Sequence, residues 1–204
     1  MKIAGCSALI ATQIATQKRD LARPPEPGRS RRCSRQGGKA AETPKAFPVA
    51  GSMIEFVSGD ILAAGVEAVV NPANAHGVMG AGLALQFKNK YPRMFAEYKR
   101  RCIAGEFGPG EVMPVKVADS NPQWVINFAT KDHWRDPSKL EYIERGLADL
   151  RRAIHSLELT SVAIPALGCG LGQLDWPTVR ARIEVFAATL PKIRVAVYEP
   201  QEVH

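Results

Sequence analysis

The sequence lacks a long apolar run, and it is poor in cysteine. No stretch approaches the roughly 20 residues that a membrane-spanning helix needs, so we expect no membrane association. The four cysteines form no CxxC pair, which argues against a disulfide framework or a zinc site. We therefore expect no metal and no cofactor, and a reducing cytoplasm as the setting.

A uniform basic character is also missing, although the net charge is +7. Residues 1–52 hold ten Lys/Arg and three Asp/Glu, whereas residues 53–204 hold seventeen of each. The excess positive charge therefore belongs to the first quarter of the chain. It does not indicate a core that binds nucleic acid.

The first quarter also lacks apolar residues at the regular spacing of a helix or a strand. It is rich in Pro, Gly, Ser and Arg, a composition typical of disordered segments. No small-residue cleavage signal follows its short apolar patch, which argues against secretion. We predict a basic, disordered N-terminal extension over residues 1–52 and one folded domain over residues 53–204. Met53, which opens strand-like sequence, is a candidate natural start.

Strand and helix patterns alternate from residue 53 onward. A capping box formed by Ser138 and Glu141 predicts that a helix begins at Ser138, and Asp175 with Pro177 opens another that runs to about residue 190. Apolar runs predict strands at 54–57, 67–71, 111–118, 124–128, 162–165 and 193–198, and helices at 81–91 and 93–104. This alternation predicts an α/β domain with a largely parallel, buried sheet.

Ligands of such domains collect at the carboxyl ends of the strands, where three sequence features lie. The first is Asp60, followed by Ile61, after the first strand. An aspartate there can accept hydrogen bonds from a purine amino group, or it can cap a short turn. On the residues alone, the capping role is favoured.

The second feature is "NPANAHGVMGAGLALQF", residues 71–87. Glycines at 77, 80 and 82 allow positive φ and a close approach of ligand to backbone. Asn71 and Asn74 carry donors and acceptors suited to sugar hydroxyls. A plain glycine turn with asparagines in left-handed conformations explains the same pattern.

The third feature is the segment Gly168 to Gly172. Successive backbone N–H groups in a glycine loop before a helix form a nest for phosphate or diphosphate. The spacing matches neither a Walker motif nor a Rossmann fingerprint. Two glycine loops at two strand ends together indicate a phosphorylated nucleoside.

A lysine, Lys131, follows the strand at 124–128. Desolvation or a cationic neighbour lowers the pKa of a lysine and makes it nucleophilic, although most lysines are simply solvated. His133 and Trp134 are consistent with ordinary loop packing. No Ser/His/Asp order or paired-carboxylate pattern is present to suggest another mechanism.

These motifs resemble the macrodomain family, which binds ADP-ribose, over roughly residues 53–200. "GDI", "NPAN", "GVMGAGLALQF" and "PALGCGLGQLDW" stand in that family's order. The strings "GVMGAGLALQFKNKYP" and "FATKDHWRDPSKLEYIERGL" are most similar to the subgroup of the DNA ADP-ribosyl glycohydrolase antitoxin and the terminal-ADP-ribose glycohydrolase.

The resemblance implies a three-layer α/β/α sandwich with a mixed, mostly parallel central sheet. It places the adenine end at Asp60 and Ile61, the distal ribose at Asn74, and the diphosphate at the second glycine loop. The implied ADP-ribose-binding set is Asp60, Ile61, Asn71, Asn74, Gly77, Val78, Met79, Gly80, Ala81, Gly82, Thr130, Gly168, Cys169, Gly170, Leu171 and Gly172.

The resemblance also implies an activity, the removal of ADP-ribose from a modified macromolecule such as DNA. Lys131 matches the lysine on which the subgroup's catalysis depends. The terminal-ADP-ribose glycohydrolase has an acidic residue where this chain has Gly172, so no group is assigned to activate the second-step water. We expect Asp175 to be a helix cap and not that base.

Two alternatives remain open at this point. One is a reader module that binds ADP-ribose without chemistry, and the other is removal of ADP-ribose from protein carboxylates or hydrolysis of O-acetyl-ADP-ribose. The expected partners are ADP-ribose or ADP-ribosylated DNA or protein, with a cognate ADP-ribosyltransferase as a further candidate. We expect the protein to be a monomer.

Overall fold

The computed structural model describes residues 53–200, and a six-stranded sheet forms the centre of this part of the chain. The strands are β1 (Ile54–Val57), β2 (Ala68–Asn74), β3 (Val112–Lys116), β4 (Trp124–Lys131), β5 (Ser161–Pro165) and β6 (Arg194–Tyr198). Their order across the sheet is β1-β6-β5-β2-β4-β3. All neighbouring strands are parallel except β3 and β4. The predicted mixed, mostly parallel sheet is confirmed.

Four α-helices cover the two faces of the sheet. They are α1 (Gly82–Lys90), α2 (Pro92–Ile103), α3 (Leu140–Ser156) and α4 (Trp176–Ala188). Helices α3 and α4 share one apolar core with Phe128 of the sheet, whereas α1 and α2 share a second core with Ala129. Successive residues of a strand point to opposite faces, so one sheet serves both cores. This is the predicted three-layer α/β/α sandwich.

Strands β2 and β4 run further than the sequence indicates. β2 continues through Pro72 to Asn74, and β4 continues to Lys131. β2 pairs with β4 along its length, but it pairs with β5 only at Ala68 and Val69. Pro72 has no N–H to donate, and it is tolerated because β2 lacks a ladder partner on the β5 side beyond Val69. The sheet therefore forks between β2 and β5 towards its carboxyl edge.

The predicted capping box at Ser138 is wrong. Helix α3 begins at Leu140, and its N-cap is Lys139 without a side-chain cap. The Ser138 N–H donates to the carbonyl of Gly172 at 2.9 Å, so a contact 34 residues away fixes this residue outside the helix. Asp175, in contrast, caps α4 as predicted and accepts from the Thr178 N–H at 3.0 Å.

The predicted extension at residues 1–52 lies outside the described residues. Within residues 53–200, no helix combines the length and the apolar character that a bilayer crossing requires.

Candidate functional site

Loops from four strands meet at the carboxyl edge of the sheet. Backbone hydrogen bonds tie three of them together. The Ala75 N–H, after β2, donates to the carbonyls of Lys131 and Asp132, after β4, at 3.2 and 2.9 Å. The Ser138 N–H joins the end of the β4 loop to Gly172 in the loop after β5. The four loops span residues 58–60, 75–81, 132–139 and 166–175.

The first glycine loop, residues 75–81, is shaped by Asn74. Its Oδ1 accepts from the N–H groups of His76 (2.9 Å) and Val78 (3.4 Å), and its Nδ2 donates to the Val78 carbonyl at 2.5 Å. The Tyr98 hydroxyl, buried in α2, donates to the Asn74 carbonyl at 2.7 Å. Burial raises the pKa of Tyr98, so this donor keeps its proton. The Asn74 amide therefore holds the loop, while its predicted contact with a ribose stays a prediction.

Glycine is required at two positions of this region. Gly77 has a φ of +76° and lies against Cys102, and Gly82 has a φ of +58°. Gly82 starts α1, whose N-cap, Ala81, offers no side-chain acceptor. Within residues 53–200, the amides of Gly80 to Ala84 have no acceptor from the protein. An uncapped helix start of this kind favours anions through its free N–H groups and its dipole.

The second glycine loop presents another group of free amides. The N–H groups of Gln173 and Leu174 close a turn onto Gly170 and Gly168, each at 3.0 Å. In the part of the chain that the structure describes, the amides of Gly170 to Gly172 find no protein acceptor. Leu171, 70% exposed, reaches across towards Gly82. The two loops thus face each other, and their amides can grip a diphosphate.

Gly172 is fixed by packing as well as by its carbonyl, which accepts from the Ser138 N–H. A Cβ built on it overlaps the Ser138 hydroxyl and the Gly168 carbonyl oxygen, and lies 2.9 Å from the Gly168 carbonyl carbon. Gly170, two residues earlier, has no heavy atom within 4 Å of such a Cβ. Position 172 therefore disfavours any side chain, because the Gly168 backbone would have to shift to admit one.

Lys131 connects β4 to the second glycine loop. Its Nζ donates to the Leu171 carbonyl at 3.0 Å, and the side chain is partly exposed. Burial lowers the pKa of Lys131, and the Asp136 carboxylate offsets only part of that effect. The lowered pKa increases the fraction of neutral, nucleophilic amine.

Three other predicted residues make contacts within the protein, one of them exposed and two of them buried. Asp60 is exposed and caps the short 3-10 helix at Ile61–Ala63, accepting from the Leu62 N–H at 2.8 Å. The predicted cap is confirmed. Asn71 is fully buried and donates to Asn127 Oδ1 at 2.9 Å, and Thr130 donates to the Ala73 carbonyl at 3.3 Å. These two side chains join strands beneath the loops.

The thiols of the described residues are unsuited to nucleophilic chemistry. Cys102 and Cys169 are free, and burial, helped by Asp175, raises the pKa of Cys169 to about 11. Among residues 53–200, no group of three His, Cys, Asp or Glu side chains is placed to hold a metal ion.

Sequence reasoning missed Tyr98, His76 and Ser138 as parts of this region. Tyr98 matches the apolar face of α2 and gives no separate signal. Ser138 was interpreted as a helix cap. His76 lies inside the glycine-rich string, and its position beside two asparagines was the one available clue.

The cleft defines the class of protein. Free amides from two loops, at the carboxyl edge of a mostly parallel sheet, are typical of α/β domains that hold phosphorylated ligands. The family model described as the Macro domain matches residues 70–183, and the chain belongs to that family.

The most informative relatives are bacterial. The chain is 48% identical over 149 residues to the DNA ADP-ribosyl glycohydrolase of Mycobacterium tuberculosis (strain ATCC 25618 / H37Rv), covering 72% of this chain and 42% of the relative. The chain thus spans less than half of that curated protein.

Two solved structures are similar. The macrodomain of Mycobacterium tuberculosis DarG superposes with a TM-score of 0.72 at 47% identity, covering 73% of this chain and 99% of that one. Thermosipho africanus DarTG, solved in complex with ADP-ribose, superposes with a TM-score of 0.68 at 30% identity. The match covers 74% of this chain and 42% of that one.

Proposed function

We propose that this protein is an ADP-ribosyl glycohydrolase that releases ADP-ribose from a modified macromolecule, with DNA as the first candidate. The observation that carries the proposal is the hydrogen bond from Lys131 Nζ to the Leu171 carbonyl. This bond holds an amine of lowered pKa beside the second glycine loop. The relatives support the same chemistry, since one is named a DNA ADP-ribosyl glycohydrolase and another was solved with ADP-ribose.

The first chemical step uses the neutral form of Lys131. Its Nζ lone pair forms a bond to the anomeric carbon of the distal ribose, while the bond from that carbon to the target breaks. The target leaves with the bonding electrons and gains one proton, which balances the proton lost from the alkylated nitrogen. The free amides of the two glycine loops hold the diphosphate and help to stabilise the charged sugar.

The second step returns the lysine. A water oxygen bonds to the anomeric carbon and gives up one proton. The carbon–nitrogen bond breaks, the lysine nitrogen takes the bonding electrons and one proton, and ADP-ribose is released. Gly172 has no side chain and so supplies no carboxylate for this step. Asp175 is committed to the cap of α4, where its carboxylate also accepts from the Thr178 hydroxyl at 2.8 Å.

Replacement of Lys131 tests the proposal. We expect Lys131→Ala to abolish release of ADP-ribose from modified DNA, while Kd for free ADP-ribose changes less than about threefold, because backbone amides hold the diphosphate. Lys139→Ala is the matched control, since Lys139 is an exposed lysine eight residues further on. Unchanged turnover in Lys131→Ala, measured by chromatography of released ADP-ribose, would refute the catalytic role.

A reader module is the second candidate function, and the same bond supports it. Lys131 Nζ already has an acceptor in Leu171, and a purely structural tie explains that contact as well. Tight binding of ADP-ribose by calorimetry, without turnover of modified DNA, modified protein carboxylates or O-acetyl-ADP-ribose, would favour the reader.

We further propose that residues 53–204 act as a monomeric unit, and that an ADP-ribosyltransferase supplies its substrate. The Thermosipho africanus relative, named as a transferase–glycohydrolase fusion, supports the second point. Equal turnover by a chain that begins at Met53, and a sedimentation mass of one chain, test the first.

A further inference from the structure

An exposed aromatic surface lies directly beside Lys131. We call it the rim surface, and it consists of His76, His133, Trp134 and Arg135. The rings of His76 and His133 meet edge to face with centroids 4.9 Å apart, and those of His133 and Trp134 lie 5.3 Å apart at 33°. The Arg135 guanidinium lies 4.5 Å over the Trp134 ring. Trp134 is 44% exposed, so burial in a core does not explain it.

Hydrogen bonds hold the rim surface at a fixed place relative to the amine. His76 Nδ1 lies 3.1 Å from the Asp132 carbonyl and 3.4 Å from the Asp132 carboxylate. The Arg135 N–H donates to His133 Nδ1 at 3.3 Å, and the Asp136 N–H donates to the His133 carbonyl at 3.1 Å. His133, Trp134 and Arg135 follow Lys131 in the loop after β4, and His76 comes from the loop after β2. Under the proposed mechanism, a group bonded to the carbon that Lys131 attacks therefore lies close to this surface.

We propose that the rim surface stacks the nucleobases of an ADP-ribosylated single-stranded nucleic acid, and thereby selects modified DNA over modified protein. This inference rests on the proposed glycohydrolase function and assigns its substrate class to named residues. Stacking on aromatic and guanidinium faces is how proteins hold unpaired bases, because every base offers a π face.

The charges around the rim surface are compatible with a phosphate backbone. Arg135 lies on one side, and the exposed Lys99 packs against Gly77 on the other. Two acidic residues also lie nearby, Asp132 against His76 Nδ1 at 3.4 Å and Asp136 close to Lys131. A carboxylate-linked peptide offers no planar ring at its linkage, so it would not stack on the rim surface.

Steady-state kinetics on two substrates test the inference. The substrates are an ADP-ribosylated single-stranded oligonucleotide and a protein ADP-ribosylated on carboxylates. We expect Trp134→Ala to raise KM for the oligonucleotide about tenfold and to leave kcat near its original value, because stacking stabilises ground and transition states alike. KM for the protein should stay within about twofold. Trp134→Phe should retain most of the affinity.

Val185→Ala is the matched control, because Val185 is a 67% exposed apolar residue on α4 and should change neither KM. Kd for free ADP-ribose verifies that each variant is folded. An unchanged KM for the oligonucleotide in Trp134→Ala, or an equal rise on both substrates, would overturn the inference.

A binding measurement separates this inference from the proposed function. In a Lys131→Ala background, Kd for the modified oligonucleotide should rise about tenfold on adding Trp134→Ala. We expect this rise in Kd even if the wild-type chain turns over neither substrate. Absence of turnover would contradict the glycohydrolase proposal but not the rim-surface inference. Equal Kd values with and without Trp134 would defeat the rim surface alone.

Discussion

Alanine at position 172 is the most direct perturbation of the candidate site. The added methyl group overlaps the Gly168 carbonyl oxygen and the Ser138 hydroxyl. A hydroxyl can rotate or its side chain can shift, but the Gly168 carbonyl belongs to the backbone of the same loop. Relief of the overlap therefore requires the second glycine loop to move.

The expected loss of stability depends on which atoms obstruct the added methyl group. Overpacking in well-packed regions typically costs about 1–3 kcal/mol, and a backbone obstacle places this change in the upper half, about 2–3 kcal/mol. For a domain of this size, about 2–4 °C of Tm is lost per kcal/mol, so we expect Gly172→Ala to lower Tm by about 4–12 °C. Affinity for ADP-ribose should also fall, since the loop amides are displaced.

Thermal and urea unfolding of paired variants measure this cost. Gly170→Ala is the control in the same loop, because its Cβ meets open space and its φ is not in the left-handed region. It should change the free energy of unfolding by less than about 0.5 kcal/mol. Ser138→Ala added to Gly172→Ala should recover only part of the loss, because the Gly168 carbonyl still obstructs the methyl group. A Gly172→Ala variant as stable as Gly170→Ala would refute the packing argument.

Two further predictions concern titration and the helix cap. Because burial lowers the pKa of Lys131 and the neutral amine is the reactive form, kcat/KM should rise with pH, with a midpoint below that of an ordinary lysine; a flat pH profile would contradict this role. Asp175→Ala should cost about 1 kcal/mol of stability through loss of the cap on the Thr178 N–H, with turnover per folded molecule unchanged. Collapse of turnover in that variant would instead make Asp175 a base.

The strands were predictable from sequence wherever apolar residues run together, and less so where the ends are polar. β2 and β4 exceed their predicted ends because Asn74 and Thr130 are buried by neighbouring loops and not by their own hydrophobicity. Pro72 lies inside β2, beyond the predicted strand end at residue 71, and the fork of the sheet tolerates it. Local patterns cannot show where a partner strand stops.

The candidate site was predictable as a set of loops, but its internal contacts were not. The glycine strings placed both loops correctly at the carboxyl edge. The bond from Lys131 to Leu171 spans 40 residues, and the one from Tyr98 to Asn74 spans 24. Ser138 was also not predictable from local sequence. The local pattern predicts a helix cap, but a hydrogen bond to Gly172 places this residue outside the helix. Such pairings depend on the tertiary arrangement of the loops.

The fork between β2 and β5 has a consequence for how this scaffold can diversify. The opening is made by two main chains whose pairing ends at Val69 and Ala163. Residues around its mouth can therefore be exchanged without closing it. New selectivity can arise by changing the surroundings of the opening, while the architecture that creates the opening is inherited intact.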